Sequence, residues 1–361
     1  MTLQNCFYNL NAYYGLIKIQ GARAEAFQFL QSLLTCDIDE LKTKDHCFGA
    51  LCNLKGRVRA LFRIFKFPEQ NLQDQSSHDI NLREQNSHDQ NSNDQNLHNK
   101  NSHDQNLHDQ NSHNKNSRDQ NSHFYLLTIK ALIPSLVPIL KKHALFSKLS
   151  FVDASETFNI GGCTEAYRDI FDNLLNCQKS ESAPLSFETL LTIDTKKPRY
   201  ILIASKNAPN SVFNRWIEVQ NKEQENNREN YLDTAWETWQ YMNIQAQIPE
   251  IFPETSEKFL PHHLNLPALG AVSFTKGCYF GQEIIARMEY KGNIKYYLKH
   301  LMISKDDPML QDNSARGVSS LVSLSGMRGM ELSYGQEKIM VVNSAKTNAD
   351  SVALLCIHCP H

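Results

Sequence analysis

Apolar and polar positions change period several times along the chain, and each change marks an element. "GLIKIQG" (residues 15–21) reads as a short strand. "ARAEAFQFLQSLL" follows with Ala26, Phe27, Leu30, Leu33 and Leu34 recurring every three or four positions, which puts them on one face of a helix. "ALCNLKGRVRALFRIFKF" and "HFYLLTIKA" are rich in aliphatic and aromatic residues and read as two strands. "IPSLVPILKKHALFSKLSFVDAS" reads as a helix with proline near its start, then a strand. The resulting order, β-α-β-β-α-β, is the split form of an α+β domain. Residues 151 to about 250 repeat the theme, with "FNIGGC", "ETLLTID" and "RYILIAS" as strands and "SVFNRWIEVQ" as a helix. From "KYYLKHLMIS" onward the chain shows short strands, Gly and Asn turns and no clear long helix, the pattern of a small β-barrel or sandwich.

Between the two strands of the first unit the composition changes abruptly. Residues 70 to 123 run as a five-residue repeat of the form [QK]-N-[SL]-[HNR]-[DN], with almost no apolar side chains and seven of the fourteen histidines. A pentapeptide β-helix needs a small residue where this repeat has Gln or Lys. Converging histidines on a metal would require ordering a flexible chain at about 1–2 kcal/mol per residue. The segment therefore reads as a disordered, expanded insert in a hairpin loop, where length costs little stability.

The 361 residues, 41% of them apolar, suffice for two or three domains with real cores. A net charge of −2 gives no drive toward nucleic acid or an anionic membrane, so no direct nucleic-acid binding and no membrane contact are expected. No stretch approaches the ~18 apolar residues of a membrane span, and the N-terminus lacks the basic start and apolar run of a signal peptide. A cytoplasmic monomer is expected. Nine scattered cysteines suit buried thiols in a reducing compartment better than a disulfide framework.

One cysteine stands apart. In "KGCYFGQEIIARMEY", Cys278 lies two residues after Lys276, and Gly281 leads into a helical stretch with an acidic first turn. A thiol just before a helix N-terminus and near a lysine is biased toward thiolate, the nucleophilic and metal-binding form. From these residues alone, packing, metal binding and reaction all stay open. The terminal "CIHCPH" offers one C-x-x-C pair, half a tetrahedral zinc site, so adventitious affinity at a free tail is expected there and no metal site is assigned. His262 and His263 read as a loop-facing polar pair.

The string Lys276, Gly277, Cys278, Tyr279, Gly281, Gln282 and Glu283, followed by Arg287, strongly resembles the signature of the YgfZ family, folate-binding proteins related to the T-protein (aminomethyltransferase) of the glycine cleavage system. "GLIKIQGARAEAFQFLQSLLTCDI" and "ALCNLKGRVRALFRIF" look like that family's opening strand and helix and its K-G-R strand. The resemblance covers nearly everything except residues 70 to 123 and is weakest over the last sixty residues. It implies an α+β, T-protein-like architecture: a first α/β subdomain (1–150), a second (151–250), the signature segment (251–295) and a C-terminal β-barrel (296–361), arranged around a folate channel. It implies tetrahydrofolate or a derivative as cofactor, with Tyr14, Trp239 and Gln245 against the pterin and Cys278 and Lys276 as the reactive pair. It also implies iron–sulfur client enzymes and cluster-assembly proteins as partners, including the enzyme that methylthiolates tRNA adenosines.

The alternative is a folate-dependent aminomethyl transferase of T-protein type. T-proteins carry adjacent aspartates where this chain has Arg59 and Ala60, neither of which accepts a proton at neutral pH. Relatives often read "NIEAG" where this chain has "NIQAQ", so Gln245 replaces a charged pterin acceptor with an amide and Gln247 adds a second amide where a glycine is common.

Overall fold

The computed structural model describes residues 7–67, 123–165, 188–194, 197–208, 211, 213–214, 228–292, 295–318, 320–348 and 350–359. Three antiparallel sheets organise them. The strands are β1 Phe7–Asn9, β2 Tyr14–Gln20, β3 His46–Cys52, β4 Val58–Lys66, β5 Phe124–Ile129, β6 Ser150–Asp153, β7 Phe158–Thr164, β8 Glu188–Asp194, β9 Arg199–Ser205, β10 Tyr297–Ser304, β11 Glu331–Tyr334, β12 Glu337–Asn348 and β13 Ser351–Cys359. The helices are α1 Arg23–Leu33, α2 Ile133–His143, α3 Arg228–Gln245, α4 Gln282–Lys291, α5 Pro308–Asp312 and α6 Leu321–Ser325. The sheet orders are β3-β4-β5-β2-β6, β1-β7-β9-β8 and β10-β13-β12-β11.

In the first sheet, helix α1 buries Ala26, Leu30 and Leu33, the face read from the sequence, while Phe27 is half-buried. The segment read as one strand, "ALCNLKGRVRALFRIFKF", instead spans the end of β3, a turn and β4. Asn53 makes the break: its side-chain oxygen accepts from the N–H groups of Lys55 and Arg57, and Gly56 follows at φ +70°. The first unit therefore runs β-α-β-β-β-α-β. β4 pairs with β5 from Arg63↔Leu127 to Lys66↔Phe124, so the two strands flanking the pentad repeat are neighbours. The repeat itself lies outside the described residues, as does most of "SVFNRWIEVQ".

The second sheet borrows its edge from the extreme N-terminal region, because β1 pairs with β7 (Phe7↔Cys163). The sheets thus do not divide at residue 150. Gly162 lets the second sheet approach α3: a Cβ there would sit 2.5 Å from the Trp239 ring. The C-terminal sheet is a curled half-barrel, with Val341, Leu354 and Cys356 packed under the short helices α5 and α6. The tail is not free. β13 lies between β10 and β12, Cys356 is buried, and His358 stacks on Tyr297 at 4.7 Å and meets Glu337 at 3.0 Å. Among the described residues no group of three or more His, Cys, Asp or Glu side chains is placed to hold a metal ion. Nor is any helix there long and apolar enough to cross a membrane.

Candidate functional site

The signature segment forms a loop, residues 273–281, that leads into α4. Helix α1 ends without a basic residue in its last turn, so its final carbonyls need donors from elsewhere. Lys276 supplies them. Its Nζ donates to the backbone oxygens of Gln31 (2.7 Å), Leu34 (2.5 Å) and Cys36 (2.7 Å), with the ammonium 4.8 Å from the Tyr279 ring centroid. Burial pushes the Lys276 ammonium down to about 8. Two further bonds tie the loop to the same region: Ser273 N–H to Thr35 O at 2.9 Å and Phe280 N–H to Ser32 O at 3.0 Å. The lysine expected to act beside the thiol is thus committed to the end of another helix.

The remaining motif residues build the turn. Gly281 caps α4 in the left-handed region at φ +83°, and a Cβ there would meet the Asn53 carbonyl at 2.8 Å. Tyr279 is buried beneath the loop, its N–H donating to Gln282 Oε1 at 3.4 Å, and its hydroxyl is buried without a partner. Glu283 and Arg287 are exposed on α4, 3.7 Å apart. Gly277 faces open space, so no crowding demands glycine there. Cys278 is exposed, whereas Cys36, Cys47, Cys52, Cys163 and Cys356 are buried. Burial pushes the Cys36 and Cys52 thiols up to about 12, and Cys47 upward as well. His262 is not loop-facing. It is buried against α4 with Nε2 3.0 Å from Glu289, and burial holds its neighbour His263 down to about 4.

Tyr14 and Trp239 lie elsewhere, in the core where β2, β4 and α3 meet. Both are buried. Trp239 Nε1–H donates to the Tyr14 hydroxyl (3.4 Å), which donates to the Glu250 carboxylate. Burial raises the Glu250 carboxyl, against the pull of the nearby Arg63 guanidinium and the Tyr14 hydroxyl bond. Arg63, also buried, donates to His46 Nε2 (3.2 Å), which leaves His46 Nδ1 to donate to Asp45 (2.7 Å). Arg199 lies over the Trp239 ring at 5.1 Å and donates to Asn243 at 2.9 Å. Gln245, by contrast, is exposed at the end of α3 and lines a cleft of about 620 Å³ with Thr164, Lys197 and Met242. The structure brings Tyr14 and Trp239 together but not Gln245 with them.

A larger cleft, about 930 Å³, opens where all three parts of the chain converge. The β1–β2 turn contributes Tyr13, α3 contributes Trp236 and Glu237, the segment after α3 contributes Phe252 and Glu254, and the half-barrel contributes Arg328 and Lys346. Tyr13 and Trp236 stack face to face, 4.1 Å between centroids and 5° between planes. Neither this pair nor the buried charges of Arg63 and Glu250, which act on each other across the core, are among the site residues predicted from the sequence. The charges had a signal: "ALFRIF" and "IPEIF" each hold one charge inside an apolar run, which reads as a buried ion.

Comparison with known proteins places the chain among relatives and gives its fold a precedent. No protein-family model matches the chain. It is 24% identical over 282 residues to the tRNA-modifying protein YgfZ of Hamiltonella defensa, covering 77% of this chain and 65% of that protein. It is 33% identical over 170 residues to the YgfZ of Buchnera aphidicola, covering 46% and 49%. The chain is a relative of the YgfZ proteins over most of its length. It spans just under two thirds of the length of the Hamiltonella YgfZ and of the Photobacterium profundum YgfZ, 65% and 64%. The crystal structure of the glycine cleavage system aminomethyltransferase T from Bartonella henselae superposes with a TM-score of 0.54 over 98% of this chain and 78% of that one, at 10% identity. That likeness establishes the T-protein-like fold of this YgfZ relative.

Proposed function

We propose that this YgfZ relative is a folate-binding accessory protein for iron–sulfur enzymes, among them the enzyme that methylthiolates tRNA adenosines. Cys278 is the thiol it presents. One observation carries the reading: of the six cysteines whose side chains are described, Cys278 alone is exposed, and it sits on a loop anchored at both ends to α1 and the residues just after it. A packing residue would be buried like the others. A loop free to move would not need three carbonyl acceptors for one lysine.

The three-way cleft suits a folate. Its volume is within the range of small-molecule sites. Tyr13, backed by the buried Trp236, offers a flat apolar wall for the pterin, Glu237 and Glu254 offer acceptors for ring N–H groups, and Arg328 and Lys346 offer cations for the glutamyl carboxylates. A tetrahydrofolate held there would supply a one-carbon carrier or a sensor of folate supply. Tyr14 and Trp239 back this wall from the core, since the Tyr14 ring meets Trp236 edge-on at 5.7 Å. Aminomethyl transfer is disfavoured because Arg59 is paired with Glu257 and Ala60 is buried, leaving no carboxylate of β4 for the amine.

Fluorescence titration with tetrahydrofolate tests the cofactor. Trp236→Ala should weaken binding by about 1–3 kcal/mol, and an unchanged dissociation constant would move the pterin out of this cleft. Complementation of a deletion strain tests the thiol. Cys278→Ser should fold yet leave the client enzymes inactive, and full client activity would reduce Cys278 to an ordinary surface residue.

A further inference from the structure

Three elements meet at the Cys278 loop and leave their outermost side chains uncovered. The β3–β4 turn lies against the start of α4, where Gly56 would bring a Cβ within 3.1 Å of Ile284 and Gly281 would bring one within 2.8 Å of Asn53 O. The end of α2 reaches the same place, with the His143 ring edge-on to Phe280 at 4.7 Å. Phe280 is two residues from Cys278. Leu54, on the turn, is 76% exposed, and Leu145 and Phe146, just beyond His143, are 72% and 102% exposed. Chain steps of about 3.8 Å keep each of these within about 12 Å of its anchoring contact. Large apolar side chains grouped on a surface mark an interaction site.

The rim of this group is basic. Lys55 adjoins Leu54, Lys141 and Lys142 precede His143, and all three are exposed with no ion-pair partner among the described residues. The nearby acids are already engaged: Glu257 with Arg59 and Asn53, Glu283 with Arg287, and Glu289 with His262. The whole chain carries a net −2, so the face is positive against a slightly acidic background.

We propose that this face, beside the Cys278 loop, docks an acidic polypeptide segment whose apolar side chains cover Leu54, Leu145 and Phe146. The proposal rests on the reading of Cys278 as a thiol presented to client proteins, and it supplies the chemistry by which a client is recognised. The lysines steer an acidic segment inward and set its orientation. The apolar anchors hold it, as the fully desolvated centre of a protein interface does. A nucleic acid would engage the lysines but leave Leu54 and Leu145 facing backbone phosphates, with nothing to desolvate them.

The test uses the full chain carrying Cys278→Ser, so that binding is read without thiol chemistry. A fluorescein-labelled peptide alternating Glu with Leu and Phe is titrated by anisotropy beside the same peptide with Lys for Glu, and beside a uridine oligonucleotide. The acidic peptide should bind at least about tenfold tighter than the lysine version, and should weaken between about 50 and 300 mM salt. The double variant Lys141→Glu, Lys142→Glu should weaken it about tenfold. Phe146→Ser and, separately, Leu54→Ser should weaken it severalfold while keeping the salt dependence. These positions are exposed, and unchanged thermal melts will show that the variants fold. Equal binding of the two peptides, a tighter oligonucleotide, or variants with wild-type affinity would overturn the proposal. Failure of the thiol reading is a separate result, namely normal client activity of Cys278→Ser in cells with peptide binding intact.

Discussion

The loop around Cys278 and the cluster around Tyr14 are both polar sites assembled from distant parts of the chain, yet one ends in an exposed atom and the other in none. In the loop, the charge of Lys276 is satisfied by three backbone carbonyls at and just beyond the end of α1, and the thiol two residues on is left to solvent. In the cluster, Trp239 donates to Tyr14 and Tyr14 to Glu250 inside the core, with the Arg63 charge nearby and its guanidinium donating to His46. The difference teaches how a sequence signature divides its labour. Lys276, Tyr279, Gly281 and Gln282 are frame, and Cys278 is what the frame displays. Around Tyr14 the whole set is frame, and the displayed surface is the Tyr13 ring, stacked on Trp236 on its far side.

The largest effect is expected at Glu250. Glu250→Ala takes the acceptor from the buried Tyr14 hydroxyl and removes the carboxylate whose charge acts on the buried Arg63, and should destabilise the protein by about 3–5 kcal/mol in urea denaturation. A loss under about 1 kcal/mol would mean that water reaches these groups. Lys276→Met should have a smaller effect, about 1–3 kcal/mol, because it strips donors from the carbonyls at the end of α1. Hydrogen exchange should quicken at residues 31–36 and 273–281 and nowhere else, and protection unchanged there would show that the clamp is dispensable.

A pH series sharpens the contrast further. Burial opposes the Asp45 carboxylate, but donors from His46 and Thr192 outweigh it and hold the group down to about 2. A folded-state value below the unfolded one means stability that is present above about pH 4 and lost as pH falls toward 2. The melting temperature should drop over that window, and the drop should shrink in Asp45→Asn. An identical acid profile in the variant would assign the transition to other carboxylates. The smallest effect is expected at the displayed atom. Cys278→Ser should change stability by no more than about 0.5 kcal/mol. In the parent protein Cys278 should alkylate about a hundredfold faster than Cys36 or Cys52, as mass-spectrometric labelling will report.

Much of this was legible in the sequence where local pattern decides the outcome. The buried face of α1, the strands flanking the repeat and the helix after Gly281 all follow from periodicity and turn chemistry. Failures came where partners are remote. Nothing near Lys276 in sequence shows that its ammonium spans to carbonyls some 240 positions away. The β1 strand joins the second sheet because Phe7 fits against Gly161 and Phe213, a match no local window contains. "CIHCPH" reads as a loose chelating tail, whereas Cys356–Cys359 end an inner strand, as becomes plain only once β10 and β12 are laid on either side of it.

The pairing of β4 with β5 has a practical reach. Lys66 and Phe124 face each other across the ladder, although 55 positions (68 to 122) separate Phe67 from His123 in the sequence. A backbone cut between them severs no hydrogen bond of that ladder. Two polypeptides, one ending after Phe67 and one beginning at His123, would each carry one strand of that pair, and the cross-strand register itself supplies the surface on which they would meet.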